Sequence, residues 1–283
     1  MSKLREILKR NRIIVGMYEN AVMLKTYLQA WHASLKSGKH FSKEDRLKVQ
    51  KYKNIHKGKR CFIVATGPSQ NADDLNMLKD EITFTVNSGY KAYQKTNWRA
   101  TYYVLMDENS GEMLKASLSE YNEYAGVFYS QDINNYIPIG IETGLVADAK
   151  ELFMINTIWN KLFPKIFPIA RFSEDISKKV YCGKTVVYAC IQIAAYMGFD
   201  EIYLTGVDCN YGGERQHSDM MDYHLSKEAK ERVINKSGNL MLIQFGALAD
   251  VLKKRGVHVY NATRGGKLEA FQRVNFDELF KGC

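Results

Sequence analysis

The sequence predicts an α/β fold of the Rossmann-like, doubly wound type, built on a mainly parallel sheet. Two features point there. Short runs that are apolar throughout recur from residue 60 onward, and amphipathic stretches of helical length separate several of them. A strand that is apolar on both faces must be covered on both faces, and helices between consecutive strands supply that cover. With 283 residues, 46% of them hydrophobic and 12% aromatic, the chain can bury a full core.

Taken in order, CFIVAT (61–66), ITFTVN (82–87), TYYVLMD (101–107), GVFYS (126–130), EIYLTGVD (201–208) and VHVYNA (257–262) read as strands. ADDLNMLK (72–79), SGYKAYQK (88–95), TVVYACIQIAAYM (185–197) and GNLMLIQFGALADVLKKR (238–255) read as helices. The stretch 131–180 is irregular and holds Pro138, Pro164 and Pro168. Residues 209–236 are polar, contain Gly212-Gly213, and read as a lid-like insertion. The α/β domain is therefore expected over 58–283, after a basic helical extension over 1–57.

Charge separates the two parts. Residues 1–60 hold 16 Lys/Arg against 4 Asp/Glu, a balance of +12, and residues 61–283 hold 24 against 27, a balance of −3. Within the extension Leu4, Ile7, Leu8, Val15, Tyr18, Val22, Leu28 and Trp31 recur at helical spacing among Lys3, Arg5, Lys9, Arg10 and Arg12. The bland reading is a helix packed on its own domain with a solvated basic face. The functional one is an anionic membrane surface as partner, with the protein peripheral on the inner face of the membrane. Nucleic acid is not expected, since no reader motif accompanies the charge. The five cysteines are odd in number, widely spaced and form no C-x-x-C pair, which argues against a disulfide framework or zinc ribbon and fits a reducing cytoplasm. Neither a signal peptide nor an 18-residue apolar run is found.

In open α/β sheets, ligands gather at the carboxyl ends of the strands. Those ends carry Thr66-Gly67-Pro68-Ser69, Asn87, Asp107, Gly206-Val207-Asp208, and Thr263 with Gly265-Gly266. Gly67 permits close approach of a ligand to the backbone, and the hydroxyls with the next helix's N–H groups suit phosphate. Each of these Asn, Asp and Ser residues is equally suited to capping the helix that follows it. His217, in the polar loop nine residues beyond Asp208, is the candidate general base, and His224 is its rival. The Gly183-Lys184-Thr185 in YCGKTVVYAC imitates the end of a P-loop, but the glycine that motif needs five residues earlier is Lys178, so the Walker reading fails. Asp107, Glu108 and Asp208 form no D-x-D triplet, and no H-x-x-x-H spacing occurs, so no metal ligand set is expected.

CFIVATGPS, TFTVNSG, VVYACIQIAAYMGFDEIYLTGVD and VHVYNATRGGKLEAF, in this order, resemble the bacterial sialyltransferases of glycosyltransferase family 42. They look equally like the motility-associated flagellin glycosyltransferase domain, which includes a hydroxymethylpterin diphosphokinase branch. The resemblance implies a GT-A-like variant of the fold. It places Gly67-Pro68-Ser69 under the donor nucleotide, where Thr66 replaces the sialyltransferase asparagine. Asn87 matches a family asparagine, and Asp107 stands where the sialyltransferases have another. Thr185-Val186 is the counterpart of the Ser-Gly that holds the sugar carboxylate, with Lys184 the closest cation where that family has an arginine; Gly206 and Asp208 match the nucleotide-binding Gly-Ile-Asp, and Tyr211 or Tyr223 would hold the leaving phosphate. The function it implies is an inverting glycosyltransferase that moves a nonulosonic, sialic-type sugar from a CMP-sugar donor to a glycan or lipid-linked glycan acceptor on the bacterial surface. No cofactor is then required. The alternatives are a diphosphokinase of the hydroxymethylpterin type, which would need Mg²⁺, and a non-catalytic nucleotide-binding protein at a membrane surface. Oligomeric state is left open, a homo-oligomer included.

Overall fold

The structure is a computed structural model of the chain and describes residues 21, 43–106, 110–129, 137–138, 141–142, 171–177, 180–181, 183, 185–210, 217–221 and 238–281. All but two of these residues, Ala21 and Glu142, belong to one compact unit formed by residues 41–141 and 170–283. Its centre is β1, Arg60–Val64, which pairs in parallel with β2, Thr83–Val86, on one side and with β6, Glu201–Thr205, on the other. Beyond β2 lie β3 (Tyr102–Leu105), β4 (Gly126–Tyr129) and β5 (Ile137–Pro138). Beyond β6 lie β7 (His258–Asn261) and β8 (Gln272–Arg273). The order is β8-β7-β6-β1-β2-β3-β4-β5, and every neighbouring pair is parallel. The Rossmann-like α/β reading therefore holds.

The two-residue period of β1 explains why it is apolar throughout. Cys61 and Ile63 point into one core with Phe84, Ala189, Cys190, Ile193 and Phe245, while Phe62 and Val64 point into the other with Leu75, Leu78, Trp98 and Phe276. Both cores are fully enclosed at the strand, since none of Cys61, Phe62, Ile63 and Val64 retains any exposed surface. Burying a side chain such as Phe62 contributes roughly 2 to 3 kcal/mol.

Among the described residues, five α-helices accompany the sheet: α1 (Lys43–Gln50), α2 (Ala72–Met77), α3 (Ser110–Glu120), α4 (Val186–Tyr196) and α5 (Gly238–Lys253). A 3-10 helix spans Asn87–Gln94. Helix α4 is apolar nearly all round because it is buried nearly all round, and its one amide is fully engaged. Gln192 Oε1 accepts from the N–H groups of Ser173 and Tyr181, and Nε2 donates to the carbonyls of Tyr181 and Tyr188. The sequence missed α3, whose weak amphipathicity rests on Met113, Leu114 and the partly buried Leu118, although the parallel step from β3 to β4 demands a crossover. Most strands end a residue or two before the predicted carboxyl ends, and the helix predicted over 88–95 is a 3-10 helix over Asn87–Gln94. Residues 43–57, assigned by charge to the N-terminal extension, pack on the α/β unit, with Val49 fully buried in its core. Lys184 and most of the lid expected at 209–236 lie outside the described residues.

The chain runs from β1 outward through β5, then returns to the other side of β1 as β6. The connections leaving β1 and β6 thus diverge to opposite halves of the sheet, and the crevice at their carboxyl ends is the topological switch point.

Candidate functional site

The two turns at the switch point are locked together by backbone. Ala65 N–H donates to Thr205 O and Gly67 N–H to Gly206 O, both at 2.9 Å. A Cβ on Gly67 would lie 2.0 Å from Asp208 Oδ2 and 2.3 Å from Gly206 O, so only glycine fits. Gly206, at φ +68°, requires glycine for its backbone conformation as well.

Asp208 lies inside this junction, 8% exposed. Its Oδ2 accepts from Ser69 Oγ at 2.8 Å and from Ser69 N–H at 3.4 Å. Burial raises its pKa above the ordinary carboxylate value, while the two Ser69 donors pull it back down. Its carbonyl accepts from Lys267 N–H at 2.7 Å, and Gly266 packs its Cα side against the Asp208 backbone.

The N–H groups of Gly67, Ser69 and Gln70 are therefore engaged within the junction. Gly67 N–H goes to Gly206, Ser69 N–H to Asp208 and Gln70 N–H to Gly67 O, while Pro68 has none. The Asp208 carboxylate is the anion this turn holds. Helix α2 behind it is a six-residue helix capped by its own Asn71, whose Oδ1 accepts from Asp74 N–H.

On the outer side of the turn, Thr66 Oγ1 meets His217 Nδ1 at 2.9 Å. Two further bonds clip the same loop: Ser218 N–H donates to Thr66 O at 2.9 Å, and Ser218 Oγ donates to Gln70 O at 2.8 Å. Thr66 and His217 are both half-buried. Residues 151 positions apart in sequence thus form one hydroxyl–imidazole pair at the mouth of the crevice.

Asn87 begins the 3-10 helix at φ +42°, a left-handed backbone that asparagine tolerates better than most residues. Its Oδ1 accepts from Met106 N–H at 3.3 Å and its carbonyl from Tyr103 OH at 2.5 Å, so it ties the end of β2 to the end of β3. A Cβ on Gly89, two residues on, would lie 3.9 Å from the Thr66 methyl, which places this turn beside the site.

Thr263 Oγ1 accepts from Val207 N–H at 3.1 Å, and Arg273 holds the carbonyls of Thr263, Gly265 and Gly266. These three residues shape the wall behind Asp208. Thr185 is the N-cap of α4, its Oγ1 accepting from Val187 N–H at 3.4 Å. Asp107, Lys184, Tyr211, Tyr223 and His224 lie outside the described residues.

The structure thus brings Thr66, Gly67, Ser69, Gly206, Asp208, Gly266 and His217 into one junction and sets Asn87 beside it. Sequence reasoning missed Gln70, Ser218 and Arg273, the residues that fix the junction. Gln70 and Ser218 adjoin predicted site residues, and that adjacency was the one signal for them. Among the described residues no group of three or more His, Cys, Asp or Glu is placed to hold a metal ion, and no helix is long and apolar enough to cross a membrane.

A parallel sheet with its polar residues gathered at the switch point defines the class of α/β proteins that place a ligand at the strand ends. The chain belongs to the MptE-like family, described as 6-hydroxymethylpterin diphosphokinase MptE-like, whose model matches residues 34–214. Among solved structures, it is similar to the MAf glycosyltransferase from Magnetospirillum magneticum AMB-1. That match has a TM-score of 0.44 and 17% identity over 83% of this chain, and it spans 38% of the other protein's length. No curated protein matches the chain.

Proposed function

We propose that the chain is a transferase that moves a glycosyl group from a nucleotide-activated donor, a CMP-linked nonulosonic acid by the motif resemblance, to an acceptor hydroxyl with inversion. The observation that carries the reading is the Thr66–His217 pair, clipped to the β1 turn at the switch point. In this reading Nδ1–H donates to Thr66 Oγ1 and Nε2 is the nitrogen that takes the proton. The acceptor oxygen would attack the anomeric carbon as the bond from that carbon to the phosphate oxygen breaks. The nucleotide leaves with the electron pair, and the acceptor proton passes to His217 Nε2. Asp208 and Ser69 keep the turn rigid in this scheme and do not touch the reacting atoms.

The test uses CMP-sialic acid as donor and a simple glycoside as acceptor. His217→Ala lowers turnover about 100-fold or more, and Thr66→Val lowers it about tenfold by releasing the ring. Turnover of His217→Ala near that of the parent chain would remove His217 from the chemistry.

The family description favours a second reading, transfer of diphosphate from ATP to a pterin alcohol. That chemistry would need Mg²⁺. Asp208, the carboxylate held at the described junction, has its Oδ2 committed to Ser69 and is a poor fit for a metal ligand. Transfer from ATP that stops in EDTA, with no turnover of the CMP-sugar, would decide for this reading.

A further inference from the structure

The basic segment 43–59 is built into the amino end of the sheet. Tyr52 OH donates to Ala125 O, just before β4. His56 Nε2 lies 2.6 Å from Tyr102 OH, at the first residue of β3, and its ring stacks on Phe199 at 4.6 Å. Asn54 and His56 donate their N–H groups to the carbonyls of Tyr196 and Met197 at the end of α4, and Asp200 N–H donates to Lys59 O just before β6.

The outer face of this segment combines charge with grease. It carries seven Lys/Arg against two acids, and Lys43, Lys51, Lys53, Lys57 and Lys59 are exposed. Two of the four large hydrophobic side chains that the described residues leave exposed are here, Leu47 at 51% and Ile55 at 45%. Lys43 and Leu47 fall four apart on the solvent side of α1, exposed Lys51 follows in the turn after it, and Ile55 stands between Lys53 and Lys57.

We propose that segment 43–59 is a docking pad for an anionic lipid bilayer, with Ile55 and Leu47 entering the interface among headgroup-binding lysines. A nucleic acid or an acidic polysaccharide would engage the lysines and gain nothing from the exposed aliphatic side chains; a bilayer uses both.

The orientation has a consequence for the substrate, which rests on the switch-point reading above. The pad lies at the amino ends of the strands and the site at their carboxyl ends, separated by the roughly 15 Å length of β1. A chain docked by this pad turns its site away from the membrane. Its acceptor hydroxyl then belongs to a soluble molecule or to the far end of an extended glycan, not to a lipid headgroup in the same bilayer.

The test is partition of the full chain onto phosphatidylcholine vesicles with and without about 30% phosphatidylglycerol, at low and high salt. Binding is expected only with the anionic lipid and falls as salt rises. Lys53→Gln with Lys57→Gln lowers the partition coefficient about 25-fold, about fivefold for each lysine. Ile55→Ser, at an exposed position that leaves the fold intact, lowers it about threefold more. An unchanged partition in the double lysine variant overturns the pad. A lysine effect with none from Ile55→Ser assigns the surface to a soluble polyanion and overturns the bilayer. Amide exchange with vesicles present is expected to slow at residues 47–57 and stay unchanged at 66–69 and 206–208. Protection at the second set overturns the orientation, whether or not any nucleotide binds.

Discussion

Gly67→Ala tests the switch-point junction most directly. The added methyl carbon would lie 2.0 Å from Asp208 Oδ2, 2.3 Å from Gly206 O and 3.0 Å from Asp208 Cγ, against an ordinary contact of about 3.5 Å. None of these neighbours yields cheaply. Gly206 O is held by the Gly67 N–H itself, and Asp208 is held by Ser69 and by Lys267 N–H. Gly67 is not among the positive-φ residues, so the whole cost is steric. Ordinary overpacking costs about 1 to 3 kcal/mol, and two overlaps of more than 1 Å place this variant at about 3 kcal/mol or above. Two other glycines calibrate the measurement. Gly265 faces open space at φ +81°, so its alanine variant should lose about 1 kcal/mol from backbone strain alone. Gly246 faces open space within α5, so Gly246→Ala should gain up to about 1 kcal/mol. Urea unfolding followed by circular dichroism reads all three. A Gly67→Ala protein as stable as the parent, with the two controls behaving as stated, would refute the packing described for the junction.

The remaining predictions concern the polar groups around it. Asp208 has a raised folded pKa, so its burial penalty is complete above that pKa and absent below the unfolded carboxylate value of about 3.9. Asp208→Asn should therefore be more stable than the parent at pH 7, with the advantage shrinking as pH falls toward that value; an advantage that grows on acidification would reverse the sign. Ser69→Ala leaves that carboxylate without its hydroxyl donor and should cost about 1 to 3 kcal/mol at pH 7, less at pH 4, by the same unfolding assay. At Asn87, alanine loses the bond from Met106 N–H and adds left-handed strain, whereas glycine loses only the bond. Asn87→Gly should therefore exceed Asn87→Ala in stability by about 1 kcal/mol, and equality would mean that the turn relaxes.

The sequence by itself determined the fold class and the end of the sheet at which the candidate polar groups gather. Runs such as CFIVAT and EIYLT are apolar at every position, which only a strand covered on both faces can use, and Cys61/Ile63 and Phe62/Val64 do enter opposite cores. Positions of Gly, Ser, Thr and Asn after those runs marked the strand ends, because local turn chemistry is written in single residues. Partnership across the chain is not. That Thr66 meets His217, 151 residues away, depends on β1 and β6 lying side by side. Asp208 suited a helix cap as well as the nucleotide-binding role that the resemblance implies, and it is the packing of Gly67 against Gly206 that sets it as the buried partner of Ser69. Likewise, charge placed residues 43–57 with the N-terminal extension, while Val49 and His56 carry that stretch onto the sheet. Composition records how many lysines a segment holds; only tertiary structure sets which surface they share, because that depends on where the neighbouring backbone comes to rest.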